Sequence, residues 1–598
     1  MALLRRLQGA NYRLLGLVGQ GQFGQVYCAV HRRTGRLVAL KNLNRDRLTT
    51  HRFLRELRFL LSLEHPNIAN CSALEQSATG RQLVLDYCEG GTLRQLMEQA
   101  TPLPLEEILA LMAAILDALD HAHSQGIVHC DIKPENILLV IAPGAWRVKI
   151  SDFGIARLSQ ELRGKDQSGA TGSPAYMAPE RCYHQPSASS DLYALGVILF
   201  ELLTGDRPFT GTPSQLMVAH LNQPVAFPPH WPEALQGFLR KALQKLMARR
   251  YRTAGVMKAA LEALRLTLTA AELATTYPLV YHQELPPVPF VPQRVYGLPT
   301  PDPMGSAPSP RSQMLVPSPT DPAVWWRVAG TDPVVQAWTV GATQMEPAEP
   351  PWFLPAPVQA LWGGQGRALA VTAEALFDLL PGGQVQRRVM FPAPVAVALS
   401  PGLQWAMGYS ADDGHLWQAP LGKATPELRA LPVPQLGTAA VELLALDDRH
   451  LLLAAKYPQR TDLHVISRRG PSLGKLTLHT AVQSLTLTRT PRRILAQETT
   501  DPSSLLIIDL LPFRVLRCRL DVPTPYLGEL AIGYVACSDQ GHLRFVNAQG
   551  QLIGRVDGLP CPDAISVQFP HHIWLATAGD RREIHAIDIQ DLGLDIIF

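Results

Sequence analysis

Residues 128–136 constrain this chain more than any other feature, because they concentrate reactive side chains in a short segment. They read Val-His-Cys-Asp-Ile-Lys-Pro-Glu-Asn and follow a stretch, residues 108–119, with apolar residues at helical spacing. A carboxylate that can act as a base (Asp131), a cation (Lys133) and an amide that can bind metal (Asn136) lie within six residues. The segment therefore predicts a reactive loop placed directly after a buried helix.

Downstream, a short strand-like run ends in Ser151-Asp152-Phe153-Gly154. Asp152 thus stands at the end of this strand-like run. A polar stretch separates it from Ala178-Pro179-Glu180.

A glycine-rich segment lies near the start of the chain, at residues 19–26, and reads Gly-Gln-Gly-Gln-Phe-Gly-Gln-Val. Such glycines let backbone N–H groups approach phosphate oxygens without obstruction by Cβ. A dinucleotide-binding loop would open a helix, but the residues that follow are typical of a strand and favour a strand-turn-strand flap. The pattern alone fits a nucleotide-binding flap and a plain hairpin equally well.

Two charged residues could act together beneath this flap. Lys41 follows Val26 by fifteen residues, in the apolar run Val-Ala-Leu-Lys, where a strand would aim its amine at the flap. Glu56 lies in a helical pattern over residues 49–63 and could orient Lys41 through an ion pair. Each residue considered alone is more typical of a solvated surface.

In their order and spacing these motifs resemble the eukaryotic-type (Hanks-type) serine/threonine protein kinases, in particular the bacterial members. The resemblance covers about residues 12–266 and includes a hinge-like segment at 85–91, Asp191 at the start of an apolar helix, and Arg250. It implies an α+β protein kinase fold with a small β-rich lobe and a large helical lobe. It also implies ATP- and Mg²⁺-dependent phosphorylation of protein Ser and Thr hydroxyls, with autophosphorylation as one possible outcome.

The resemblance implies a role for each catalytic residue. Asp131 would accept the proton of the substrate hydroxyl, and Lys133 would contact the γ-phosphate. Lys41 would bind the α- and β-phosphates and would be held by Glu56.

The resemblance also implies how ATP and its metal are bound. Asn136 and Asp152 would hold Mg²⁺, Leu85 would be the gatekeeper, and backbone groups of Asp86 and Cys88 would receive adenine. The full set of implied ATP-binding residues is Gly19, Gln20, Gly21, Gln22, Phe23, Gly24, Val26, Ala39, Lys41, Leu85, Asp86, Cys88, Asn136 and Asp152.

One residue departs from the family pattern. The usual His-Arg-Asp reads His-Cys-Asp here, so Cys130 replaces the arginine that engages a phosphorylated activation loop. Control by loop phosphorylation is therefore in doubt, while the catalytic residues are all present. Cys130 is interpreted as a core-facing substitution, with a redox sensor as the alternative. The resemblance further implies a buried ion pair between Glu180 and Arg250.

Two features select among the relatives with this core. Lys133 and Ser173 resemble the serine/threonine branch more than the tyrosine branch. The segment through Glu180 resembles machinery for protein substrates, which disfavours a small-molecule kinase. The alternative to an enzyme is a pseudokinase scaffold, which binds nucleotide and partner proteins without catalysis.

The C-terminal half shows a different pattern, of short strand-like cores that recur every 38 to 48 residues. This period is typical of four-stranded propeller blades. The turns weakly resemble WD-type repeats, although the Trp-Asp dipeptide is absent, and a pair of β-sandwiches is the alternative. We expect an all-β repeat domain, a six- or seven-bladed β-propeller, that binds a protein partner. The repeated core positions are Phe377, Trp417, Val465, Ile507, Phe545 and Ala586, with a further candidate around Trp338.

Prolines separate the two halves, with 12 in the 37 residues from Pro286 to Pro322. Such composition favours extended polyproline geometry over helix or sheet. The predicted organisation is a protein kinase domain at 1–267, a proline-rich linker at 268–324 and a β-propeller-like domain at 325–598.

Bulk properties limit the remaining possibilities. The formal charge of +3 over 598 residues gives no electrostatic reason to expect nucleic acid or an anionic membrane as a partner. No apolar run is long enough to span a bilayer, no signal peptide is recognisable, and the eight cysteines show no metal-ligand spacing. A cytoplasmic protein is expected.

Overall fold

The computed structural model divides the chain into two compact units, residues 1–284 with 511–515, and residues 285–510 with 516–598. The residues it describes are 11–21, 24–42, 63–77, 80–98, 103–153, 173–183, 185–277, 294–297, 314–317, 324–328, 333–340, 345–364, 367–392, 395–422, 426–431, 433–434, 436–469, 472–568, 570–577 and 583–589.

The N-terminal unit begins with an antiparallel sheet of five strands. Valine, which favours extended backbone, occurs in four of its five strands. Its buried side chains, among them Tyr27, Val38 and Leu40, form one apolar cluster. The strand order is β1-β2-β3-β5-β4. The bounds are β1 Tyr12–Gly21, β2 Gly24–His31, β3 Leu37–Asn42, β4 Cys71–Ser77 and β5 Gly80–Asp86.

Helices dominate the rest of this unit. Their bounds are α1 Leu93–Glu98, α2 Leu105–Ser124, α3 Ala188–Thr204, α4 Pro213–Asn222, α5 Glu233–Ala242, α6 Ala254–Thr267 and α7 Ala270–Ala274. The short strands between them are β6 Leu103–Pro104, β7 Ile137–Ala142, β8 Ala145–Ile150 and β9 Thr276–Tyr277. The predicted α+β arrangement of a small β-rich part and a large helical part is confirmed.

Helix α3 is the centre of the helical part. It is apolar on all sides, and every residue from Ser190 to Leu203 is buried, as expected for a helix surrounded by protein. Ser187 and Ser190 form a reciprocal capping box at its start, and Gly205, at φ +81°, ends it in the left-handed conformation.

The first predicted domain boundary differs from the structure. Strand β9 pairs with β6, Leu103 with Tyr277 and Pro104 with Thr276, so the N-terminal unit continues past residue 267. Tyr277 is buried there. The helical period in the sequence ends with α6, and a two-residue strand leaves no periodic signal.

The C-terminal unit consists of seven small antiparallel sheets among its described residues. Six are built from strands consecutive in sequence, and we number the sheets in chain order. The bounds are β11 Met314–Pro317, β12 Val324–Val328, β13 Val334–Val340, β14 Met345–Pro347 and β15 Trp352–Phe353 in sheet 1; β16 Ala360–Gly364, β17 Arg367–Val371, β18 Ala375–Leu380 and β19 Gln384–Met390 in sheet 2; β20 Val395–Leu399, β21 Trp405–Ser410, β22 Leu416–Pro420 and β23 Arg429–Leu431 in sheet 3; β24 Ala440–Ala445, β25 His450–Tyr457, β26 Arg460–Ser467 and β27 Ser472–Leu478 in sheet 4; β28 Val482–Leu487, β29 Arg493–Glu498, β30 Ser504–Leu510 and β31 Phe513–Arg519 in sheet 5; and β32 Tyr526–Leu530, β33 Gly533–Cys537, β34 Leu543–Val546 and β35 Leu552–Val556 in sheet 6.

Sheet 7 draws on both ends of this unit. It contains β36 Pro562–Gln568, β37 His572–Thr577, β38 Glu583–Asp588 and, as its fourth strand, β10 Arg294–Gly297. Strand β10 pairs antiparallel with β38, from Arg294 with Ala586 to Gly297 with Glu583. The first and last described strands of the unit therefore share one sheet.

The predicted linker also needs correction at its C-terminal end. Strands β10 and β11 lie within residues 268–324, so the all-β unit begins well before the predicted residue 325. Both are terminal strands of their sheets, a position that tolerates proline because one edge makes no ladder hydrogen bonds. Proline density thus marked edge strands as well as connecting segments.

The positions that set the sequence period share one place in the fold. All six lie on the third strand of their sheet, and Trp338 lies on the third strand of sheet 1: Phe377 on β18, Trp417 on β22, Val465 on β26, Ile507 on β30, Phe545 on β34 and Ala586 on β38.

No helix in the described part of the chain is long and apolar enough to cross a membrane.

Candidate active site

The glycine-rich segment forms the turn end of the β1–β2 hairpin. Gly19 pairs with Val26, Gln20 with Gln25 and Gly21 with Gly24. Gly24 has φ +136°, and a Cβ there would lie 2.0 Å from the Asn42 carbonyl oxygen, so only glycine fits. The strand-turn-strand prediction is therefore confirmed, while Gln22 and Phe23 lie outside the described residues.

Lys41 lies on β3, the middle strand of the five-stranded sheet that contains this hairpin. On β3 it pairs with Val26 of β2 and Leu83 of β5. Its side chain is buried, and Nζ lies 2.6 Å from Oδ1 of Asp152. Glu56, the predicted partner of Lys41, lies outside the described residues, so that ion pair stays a prediction.

Asp152 lies at the end of β8 in an unusual backbone conformation, with φ +66°. Such a conformation is uncommon outside glycine and concentrates at functional sites. Burial raises the pKa of its carboxyl, but the adjacent Lys41 ammonium outweighs burial, and the pKa lies below its usual value. Asp152 is therefore a carboxylate at neutral pH and can bind a cation.

The loop at residues 128–136 is fixed by buried hydrogen bonds. The Asp191 carboxylate, at the start of α3, accepts backbone N–H groups from His129 and Cys130, each at 2.9 Å. The His129 ring contacts the Ser151 carbonyl oxygen at 2.8 Å and packs edge-on against Phe153. The loop is thereby tied to the segment that carries Asp152.

Two predicted catalytic side chains and one predicted metal ligand meet within this loop. Lys133 Nζ lies 2.7 Å from Asp131 Oδ2. Asn136 donates from Nδ2 to the Asp131 carbonyl oxygen at 2.7 Å and to Asp131 Oδ2 at 3.2 Å. A carboxylate with a cation and an amide beside it can orient a hydroxyl nucleophile and accept its proton.

Most of the predicted site residues line one cleft. Its apolar walls include Leu17, Val26, Ala39, Leu85 and Leu138, a lining suited to a flat aromatic base. The other predicted residues that line it are Gly19, Gln20, Gly24, Lys41, Asp86, Cys88, Asp131, Lys133, Asn136 and Asp152.

The hinge-like segment is anchored at one end of the cleft. The Asp86 carboxylate accepts hydrogen bonds from Arg36 and Lys149, each at 2.9 Å. The backbone N–H of Asp86 donates to the Asn70 carbonyl oxygen at 3.0 Å. These contacts fix the backbone that the resemblance assigns to adenine.

The predicted buried ion pair is present. Arg250 donates from Nη1 and Nη2 to the two carboxylate oxygens of Glu180 at 2.9 and 2.8 Å, and its side chain is fully buried. Burial raises the pKa of Glu180, but Arg250 and the Ser190 hydroxyl outweigh burial and lower it. The pair braces the segment after Ser173 against the helical part.

Cys130 has the left-handed conformation, with φ +67°, and is buried. Its position confirms the interpretation as a core-facing substitution. A neutral thiol also lacks the charged, planar donor set with which an arginine pairs with phosphate. Residues 154–172, which include most of that loop, lie outside the described part of the chain.

Sequence reasoning gave Asp191 no role beyond marking a helix start. In the structure it holds two backbone groups of the reactive loop. The signal available was an acidic residue at the start of a largely apolar helix, which is costly unless the carboxylate has hydrogen-bond partners.

The donor set fits Mg²⁺. Asn136 offers an amide oxygen and Asp152 a carboxylate, and both are the hard oxygen ligands that Mg²⁺ prefers. Because Nδ2 of Asn136 donates to Asp131, the Oδ1 atom of the same amide is left as the oxygen that can bind the metal. Among the described residues no group of three or more His, Cys, Asp or Glu side chains could hold a metal. A metal bound with only two protein ligands is typical of sites where substrate phosphates complete the shell.

The fold and the site together define a protein kinase domain. Residues 12–261 match the family model described as "Protein kinase domain". Within this segment the sequence is similar to serine/threonine protein kinases.

Several curated relatives share this part of the chain. The probable serine/threonine-protein kinase PknB of Lactococcus lactis is 34% identical over 262 residues, 42% of this chain and 41% of the relative. The serine/threonine-protein kinase PrkC of Bacillus subtilis is 35% identical over 269 residues, 43% of this chain and 41% of the relative. The DNA damage-responsive serine/threonine-protein kinase RqkA of Deinococcus radiodurans is 39% identical over 254 residues, 41% of this chain and 37% of the relative. The matched segment thus spans about two fifths of these relatives.

Proposed function

We propose that this protein transfers the γ-phosphoryl group of ATP to Ser and Thr hydroxyls of proteins, including its own. The observation that carries the proposal is the convergence of two charged groups in one cleft. One group is the Lys41–Asp152 pair, and the other is Asp131 with Lys133 and Asn136.

Each side chain has a distinct task in this reaction. The Asp131 carboxylate accepts a hydrogen bond from the substrate hydroxyl, orients its oxygen towards the γ-phosphorus, and receives the proton as the bond to phosphorus forms. Lys133 and Lys41 place positive charge beside the phosphates, where negative charge is redistributed in the transition state. Asn136 and Asp152 would hold Mg²⁺, which would supply further countercharge to the phosphates when bound.

The choice of hydroxyl rests on the resemblance and on the relatives. Lys133 and Ser173 match the pattern of the serine/threonine branch. The backbone N–H of Ser173 lies 3.4 Å from Asp131 Oδ1, so this residue adjoins the place where the substrate hydroxyl would be activated. The relatives described above are named as serine/threonine-protein kinases.

Labelled phosphate transfer tests the proposal. The full-length protein, with γ-labelled ATP and Mg²⁺, should label itself or a generic substrate such as casein. Acid hydrolysis should recover the label as phosphoserine and phosphothreonine, and excess EDTA should abolish it. Absence of label under all conditions would favour the pseudokinase scaffold, and label on tyrosine alone would contradict the Ser/Thr assignment.

For the C-terminal unit we propose a seven-bladed β-propeller closed by β10. Three features support it: the third-strand positions of the sequence period, the shared sheet of β10 and β38, and the sheet contacts around the unit. Strand β11 of sheet 1 adjoins both β16 of sheet 2 and β36 of sheet 7, as expected if the sheets follow one another in a ring.

Replacement of residues 294–297 by Gly-Ser-Gly-Ser tests this closure. Loss of the ladder to β38 should lower the free energy of unfolding of the all-β unit by about 2–4 kcal/mol, because four strand residues lose their pairing. Urea denaturation monitored by tryptophan fluorescence measures the change. Stability equal to that of the unaltered protein would argue against a closing role for β10.

Recruitment of substrates or partners by the propeller is the last part of the proposal. It rests on fold analogy, since propellers mostly present loop faces to proteins. Recruitment raises effective concentration without changing chemistry. It therefore predicts low KM values for whole substrate proteins and unchanged kcat relative to short peptides.

A further inference from the structure

Four side chains from four separate elements meet beside the reactive loop. They are Arg94 on α1, Glu135 between Lys133 and Asn136, Tyr176 just after Ser173, and Glu201 on α3. Residues that lie 25 to 107 positions apart in sequence are hydrogen-bonded here. We call this group the Arg94 cluster.

Arg94 is the only cation in these contacts. Its Nε donates to Glu135 Oε1 at 3.1 Å, its Nη1 donates to Glu201 Oε1 at 3.1 Å, and its Nη2 donates to the Tyr176 hydroxyl. Tyr176 in turn donates to Glu201 Oε2 at 2.5 Å. One guanidinium thus serves two carboxylates and a phenol, with a contact from each of its three nitrogen atoms.

Electrostatics and burial agree that the cluster needs this cation. Glu201 is buried, with 6% of its side chain exposed. Burial lowers the pKa of Arg94, but the hydrogen bonds with Glu201 outweigh burial and raise it overall. Without the guanidinium, two carboxylates and a tyrosine hydroxyl would surround a pocket with a strong preference for a cation.

The cluster lies where a protein substrate must lie if the proposed function holds. Glu135 is four residues from Asp131, and Tyr176 is three residues from Ser173, whose N–H faces Asp131. Glu135 is 46% exposed in its side chain, so the cluster opens to solvent on the Glu135 side. A side chain of a bound substrate could approach from that side.

We propose that Arg94 is a specificity-determining residue, which fills from within the chain an anionic subsite formed by Glu135, Tyr176 and Glu201. This inference rests on the proposed function. With the subsite filled, a substrate gains nothing by placing an arginine or lysine there. Removal of Arg94 exposes the subsite, and the kinase then selects substrates with a basic residue at one position near the phosphorylated hydroxyl.

Matched peptides test this directly on the full-length protein. Each peptide carries one serine and either arginine or its neutral isostere citrulline at one of the four positions on either side. For the unaltered protein we expect kcat/KM values within about threefold for each pair. For Arg94→Ala we expect preference for arginine at one position to rise about tenfold or more, through KM, because a charge-assisted hydrogen bond is gained.

Two variants serve as controls. Arg94→Lys keeps a cation in the subsite and should keep the original preference. Arg265→Ala removes a surface arginine of α6 that pairs with Glu106 of α2 at 2.5 Å, and it should change no ratio. An equal shift in Arg265→Ala, or no shift in Arg94→Ala, would overturn the inference. If circular dichroism shows that Arg94→Ala does not fold, Arg94→Met is tested in its place, because methionine keeps the apolar stem of the side chain and removes the charge.

A binding measurement separates this inference from the proposed function. If the unaltered protein phosphorylates nothing, the proposed function fails, and fluorescence anisotropy of the labelled peptide pairs still reports on the subsite. Tighter binding of the arginine peptide by Arg94→Ala alone would support the subsite even then. Equal binding of arginine and citrulline peptides by that variant would overturn it.

Discussion

Asp131→Asn is expected to lower phosphoryl transfer by about 10²–10⁴-fold, the range typical of a lost general base. Asparagine preserves the shape of the side chain but cannot take the proton of the substrate hydroxyl. It also removes the charge that pairs with Lys133 at 2.7 Å. Affinity for ATP should stay near that of the unaltered protein, because Lys41, Asp152 and the apolar cleft walls are unchanged.

Single-turnover transfer from labelled ATP measures the loss, and displacement of a fluorescent nucleotide measures the affinity. Asp117→Asn is the matched control, because Asp117 is a solvent-accessible carboxylate that pairs with a lysine, Lys258, at 2.7 Å on the helical surface. Transfer rates for Asp131→Asn equal to those of the control would remove Asp131 from the reaction. A parallel loss of ATP affinity would instead indicate that the loop is misfolded.

The part of the site that the sequence predicted best is contiguous in the chain. Asp131, Lys133 and Asn136 lie in one loop, so their contacts follow from local geometry once the loop is recognised. The contact between Lys41 and Asp152 joins residues 111 positions apart, and only the family resemblance brought them to one site. Spacing alone carries no information on which distant strands meet.

Arg94 illustrates what local pattern cannot show. It lies in a helix of six residues without periodicity, and its partners come from three other elements. Nothing in its own neighbourhood distinguishes it from a solvated arginine. The distinguishing features, burial of Glu201 and the shared tyrosine hydroxyl, are properties of the tertiary structure.

The all-β unit shows the same contrast between repeated and single features. The core positions that recur at a period near 42 residues fall on the third strand of six of the seven sheets, since repetition averages out the weak signal of any one strand. Strand β10 is not part of the recurring sequence pattern: it is a single segment of four residues that lies among prolines. Its partner β38 is almost 300 residues away, so neither composition nor period could reveal the pairing.

The second large effect is expected at the Lys41–Asp152 pair. Lys41→Met and Asp152→Ala should each lower transfer by about 10³-fold or more, the former because the phosphates lose a positive charge and the latter because a Mg²⁺ ligand is lost. Raised Mg²⁺ should not restore Asp152→Ala, since the missing oxygen cannot be replaced at that position by mass action alone.

The double variant makes this prediction sharper. Side chains that act as a unit have strongly non-additive effects on catalysis, so Lys41→Met with Asp152→Ala should be little slower than either variant alone. The matched control is the surface pair Lys258 and Asp117, where the double replacement should leave transfer unchanged. Rates are measured in single turnover at saturating ATP, with circular dichroism to verify folding. Fully additive losses, reaching about 10⁶-fold in the double variant, would mean that Lys41 and Asp152 act independently and that their 2.6 Å contact has no part in positioning the phosphates.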